Sequence, residues 1–89
     1  VRWDRRAEPE GRSFNRRLGK LIAERRTAAG LTQAELAQRI GLNARESMSN
    51  IETGDRMVRA WDLCQIAEVL GLGVADFTDA AYVRRTVEP

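Results

Sequence analysis

The chain has 89 residues, with 15 Lys and Arg against 13 Asp and Glu, and 43% of it is hydrophobic. That supports one domain with one modest core, in the composition range of a globular chain and not a disordered one. With no histidine and one cysteine, Cys64, His-based triads, zinc-ligand sets and internal disulfides are excluded, so no enzyme activity, cofactor or metal is expected.

Residues 1–12 carry Pro9, Gly11 and mixed charges around a single large apolar group, Trp3. They are expected to form a flexible basic arm, with Arg2, Arg5 and Arg6 placed to lie along phosphates or enter a minor groove, or simply to solubilise the chain. From Ser13, a plausible N-cap, Phe14, Leu18, Leu21 and Ile22 fall on one helical face. Ala28 and Ala29 extend that face and Gly30 stops it, so a first helix is predicted over about 14–29. Thr32-Gln33-Ala34-Glu35 has the form of a capping box. It opens a second helix whose stripe is Leu36, Ala37 and Ile40, closed by Gly41.

A third helix is predicted from residue 44 or 45 to 53, followed by Gly54, and a fourth over about 59–70 with Ala60, Leu63, Ala67 and Leu70 on one face and Ile66 beside them. Gly73 caps a short fifth helix that contains Asp76 and Phe77. No strand-like alternation occurs, so the expected fold class is all-α: a compact helical domain over 13–79 with a tail at 80–89 as a dimer element. No apolar run reaches the roughly 18 residues that span a bilayer, and the first dozen residues lack a secretory h-region. A lone thiol suits a reducing compartment, so the expected location is cytoplasmic with no membrane partner.

Charge is unevenly placed. Residues 1–26 hold nine basic side chains against four acids, whereas residues 60–89 hold two against five. Fourteen of the fifteen basic residues are arginine, the side chain whose fork fits phosphate and guanine edges. Arginine-favouring codon usage accounts for the count as well as a polyanion does, but it does not account for the asymmetry. On a wheel of about 100° per residue, Ala44, Met48 and Ile51 of the third helix point inward. Glu46, Asn50 and Thr53 point outward, with Ser47 and Ser49 on the flanks. Asn, Glu, Ser and Arg are the side chains that read base edges in a major groove, although a merely solvated face has the same look.

Two short helices joined across Gly41 describe a helix-turn-helix. The segment "LGKLIAERRTAAGLTQAELAQRIGL", followed by "SMSNIETG" and "LCQIAEVLGLGVADF", resembles the phage-repressor/Cro-like (XRE) helix-turn-helix family across residues 18–77. The resemblance implies a five-helix, lambda-repressor-like DNA-binding domain with helices 2 and 3 as the DNA-binding pair. It implies base contacts from Arg45, Glu46, Ser47, Ser49 and Asn50, and phosphate contacts from Gln33, Arg56 and Arg59. It places Arg26 and Glu52 as a structural ion pair that orients the recognition helix.

The implied function is sequence-specific binding of double-stranded operator DNA by a transcriptional regulator, a repressor or autoregulator acting as a homodimer. An antitoxin of a toxin–antitoxin pair, with a toxin or other regulator as protein partner, and a restriction–modification controller protein are alternatives on the same fold. The chain departs from the family pattern in two ways. Val58 stands where a proline is common, and Gly41 to Gly54 is one residue longer than usual. Either Asn43 caps an early third helix, or the extra residue loops out and the helix begins near Arg45. Of the remaining residues, Cys64 is expected as a partly buried filler, and Trp61 as a cover for the core or a dimer contact. Tyr82 and Val83 are expected to pack on a partner subunit, and Arg84 and Arg85 to be solvated.

Overall fold

The computed structural model describes residues 8–42 and 45–82. Its elements are α1 (Glu8–Ala28), α2 (Gln33–Arg39), α3 (Arg45–Thr53), α4 (Ala60–Val69) and α5 (Val74–Ala81), with no strand among the described residues. None of these helices is long and apolar enough to cross a membrane. The expected arm contacts of Arg2, Arg5 and Arg6, the Asn43 cap and Ala44, and the tail residues Val83, Arg84 and Arg85 lie outside the described residues.

The capping box forms as its residue types dictate. Thr32 Oγ1 accepts the Glu35 amide at 3.1 Å while Glu35 Oε1 accepts the Thr32 amide at 2.9 Å, which satisfies two of the donors a helix start leaves over. The Thr32 backbone bond first, then its side-chain bond, hold the exposed Glu35 carboxyl below its ordinary value. A lowered carboxyl contributes above its ordinary value and stops contributing as pH falls through the lowered one. Amide protection at Thr32 should therefore drop as acid is added. Glu35→Gln, which still accepts that amide, should show no such pH step in a hydrogen-exchange titration. A parent protein with pH-independent protection would contradict this.

The first helix differs from expectation at its start. It begins at Glu8 and not near Phe14, and Ser13 lies inside it and does not cap it. Pro9 is compatible because a first-turn residue has no intrahelical acceptor for its N–H to lose. Ala28 and Ala29 are exposed, so the buried face of α1 is carried by Leu18 and Ile22. On α4, Ala60 is exposed and the buried set is Asp62, Leu63, Ile66 and Ala67. That rotation puts Cys64 and Trp61 on the solvent side, against the expectation that Cys64 fills the interior.

The core gathers Leu18 and Ile22 of α1, Leu36, Ala37 and Ile40 around α2, Met48 and Ile51 of α3, and Phe77 and Ala81 of α5. Gly30, Gly41, Gly54 and Gly71 all have positive φ, between 72 and 85°, and each closes the helix before it. The residue after each glycine bonds back five positions, as in Leu31 to the Arg26 carbonyl and Leu42 to the Ala37 carbonyl. Three of these exits are Gly-Leu, and Leu42 and Leu72 fold onto the core. The exit of α3 is Gly54-Asp55, so there the chain leaves through a polar turn.

α1 crosses the end of α3 at two glycines. A Cβ on Gly19 would stand against the Ile51 carbonyl oxygen and 2.6 Å from the Glu52 carbonyl oxygen. One on Gly54 would stand 2.9 Å from the Arg16 Cα. Arg17 of α1 donates from Nε to the Ala81 carbonyl at 2.6 Å, a bond that closes the C-terminus of α5 and that no periodicity argument would have found.

Candidate nucleic-acid interface

α3 separates its residues cleanly. Met48 and Ile51 are 0% and 1% exposed, which pins the helix through its buried side. Arg45, Glu46, Asn50 and Thr53 are exposed, and Ser47 and Ser49 are half-buried on the flanks. The described part of the helix runs from Arg45 to Thr53, with Glu46 and Asn50 one turn apart on one side.

Glu52 turns the other way. Its side chain is only 7% exposed and meets the Arg26 Nε through Oε2 at 2.6 Å, with Arg26 Nη2 on Oε1 at 3.1 Å. The Gln33 amide also donates to Oε1, at 2.9 Å, and Arg26 Nη1 reaches the Leu31 carbonyl at 2.6 Å. One carboxylate therefore ties together the end of α1, the start of α2 and the end of α3. A two-pronged Arg–carboxylate pair fixes orientation as well as distance. The Gln33–Glu52 bond was not anticipated, because nothing in the spacing of two residues 19 positions apart reports it.

Arg26, Thr32, Gln33, Ala34 and Arg45 line an open recess of about 500 Å³ where α3 begins beside the start of α2. The structure thus brings Gln33 and Arg45 together. At the far end of α3, the Asn50 carbonyl accepts the Asp55 amide at 2.9 Å and the Arg56 amide at 3.1 Å, as well as the Thr53 hydroxyl at 3.2 Å. That turn sets where Arg56 leaves the chain. Arg59 precedes α4 with its side chain 71% exposed, and its Nε is 3.2 Å from Oδ2 of the buried Asp62. Among the described residues Asp62 is the sole charged member of the buried set, and apolar spacing gives no reason to place an acid there. Trp61 and Tyr82 are 69% and 62% exposed. Neither covers the core.

A polar helix held by its inner face, preceded at a glycine turn by a capped helix, is the helix-turn-helix arrangement. The family model described as a helix-turn-helix domain matches residues 17–80, and the chain belongs to that family. Among solved structures, it is similar to the crystal structure of the clp gene regulator ClgR from Corynebacterium glutamicum. The two share 28% identity with a TM-score of 0.72, over 76% of this chain and 71% of that one. No curated protein gives a significant match.

Proposed function

We propose that this chain is a DNA-binding transcription regulator that seats α3 in a major groove and acts as a homodimeric repressor or autoregulator. The observation that carries the reading is the division of α3. Arg45, Glu46 and Asn50 face solvent as hydrogen-bonding groups, while the acid next in line after Ile51 is drawn inward onto Arg26 and Gln33. A solvated helix has no need of a buried ion pair to set its roll, whereas a reading helix does. The family membership and the likeness to a gene regulator support the same reading.

In this reading Glu46 and Asn50 contact base edges, with Ser47 and Ser49 beside them and Arg45 at the outer edge of the groove. Gln33, Arg56 and Arg59 hold phosphates, and such contacts set register and make affinity salt-dependent. The Asp62 carboxylate steadies the largely exposed Arg59 guanidinium through Nε, and its two terminal nitrogens are the donors proposed to meet a phosphate. Dimerisation is proposed because each chain presents one α3, and specific affinity commonly draws on two half-sites about one helical turn apart.

Sites selected from random DNA test the reading. Asn50→Ala should relax the preference at one base position by about 1–3 kcal/mol. Arg56→Ala should weaken selected and random duplexes alike. If both variants act equally on selected and random DNA, direct reading by α3 is wrong. Light scattering with and without the selected duplex checks the proposed two chains per site.

A further inference from the structure

Where Gly19 and Gly54 bring α1 against the exit of α3, an open cleft of about 520 Å³ lies beside the contact. Arg12, Asn15 and Arg16 line it from α1, and Thr53, Asp55 and Met57 from the exit turn. Arg12, Asn15, Arg16 and Gly19 follow the i, i+3, i+4, i+7 spacing of one helix face. The glycine that lets α1 touch α3 is therefore on the stripe that carries the two guanidiniums. Both arginines are exposed, and Arg16 makes no hydrogen bond or ion pair among the described residues. Among the described residues Asp55 is the one acid in the lining, and its Oδ2 accepts the Thr53 hydroxyl at 2.8 Å. Among the described lining residues two arginines stand against one aspartate, and Arg12 also engages a further partner.

We propose that this cleft is an additional anion site, which takes the phosphodiester backbone of the same duplex just beyond the bases that α3 faces. The proposal rests on α3 as the groove helix. Two observations select this occupant. Thr53 lies one turn after Asn50 on the outward side of α3 and also lines the cleft, so the cleft continues the reading face without a break. Its charge and its forked donors suit phosphate oxygens and carry no base information. α1 then serves the interface twice. Arg26 orients the recognition helix, and Arg12 and Arg16, more than two turns away, extend its electrostatic footprint. Asp55 opposes the anion and holds down affinity for DNA in general.

The test uses the full chain and a fluorescent random-sequence duplex of about two helical turns, titrated at several salt concentrations. Arg12→Gln with Arg16→Gln should reduce the slope of log affinity on log salt by about 1.8, for two lost phosphate contacts. Equivalently, the affinity lost between about 50 and 200 mM salt should shrink by about 12-fold. The preference for selected over random sequence should stay as it was. Asp55→Asn should tighten binding to the random duplex.

An unchanged slope, or weaker or unchanged binding by Asp55→Asn, overturns the proposal. If the double glutamine variant melts lower than the parent, the double lysine variant decides: a recovered slope supports the site, and an unrecovered one rejects it. Asn50→Ala separates this idea from the one beneath it. Lost base preference there with an unchanged slope in the arginine variant removes only the cleft. Unaltered preference in Asn50→Ala removes the groove reading itself.

Discussion

Gly19→Ala is expected to destabilise the fold by about 3 kcal/mol, read as a fall in the urea midpoint with an unchanged slope. The sign is the informative part. Inside a helix, alanine in place of glycine ordinarily stabilises by up to about 1 kcal/mol. Here the added methyl meets the carbonyl oxygens of Ile51 and Glu52, which are backbone and cannot swing aside. The whole of α1 would have to lift from the end of α3. That displacement would also pull Arg26 away from Glu52, so DNA binding should fall together with stability. Lys20→Ala, one residue along and exposed, should change stability by less than about 0.5 kcal/mol. A stabilised Gly19→Ala protein would mean that α1 and α3 are not as close as described.

Glu52→Gln is expected to cost about 3 kcal/mol, the lower end for breaking a buried pair, since Arg26 and Glu52 retain 15% and 7% side-chain exposure. Three donor nitrogens converge on the carboxylate. A carboxamide offers one oxygen and turns an NH₂ toward another donor, so it loses geometry as well as charge. The Arg26 guanidinium would keep its bond to the Leu31 carbonyl but lose its counter-charge. The docking of α1 should loosen first, seen as faster amide exchange in its last turns, with base preference kept in the molecules that remain folded. Unchanged melting together with unchanged DNA affinity would show that the pair does not orient α3.

Most of the helix order was legible in the residues because its signals are local. The Thr32–Glu35 box, the apolar spacing through Ile22 and the four closing glycines each act within one or two turns. The outward set of α3 was legible for the same reason, once Met48 and Ile51 defined its inner side. What escaped was the start of α1, where Pro9 and Gly11 suggested a break but first-turn backbone tolerates a proline. On α4, where Leu63, Ile66 and Ala67 are buried as expected, the inward place of Asp62 beside Arg59 and the outward place of Ala60 also escaped. A hydropathy stripe counts apolar residues and has no means of placing a paired acid inside.

The chain alone therefore settles the helical class, the helix-turn-helix pairing and the division of α3 into a buried and an outward face, since these depend on spacing within a few residues. Tertiary structure decides everything that joins distant turns. It gives Glu52 three donors from two other helices, sets Gln33 against that carboxylate, and closes α5 with Arg17. It also makes Gly19 a point of contact, not a helix weakness, and lays Arg12 and Arg16 beside the exit of the recognition helix. The reason is that a helix face records which residues are apolar, but not which other backbone comes close enough to meet it.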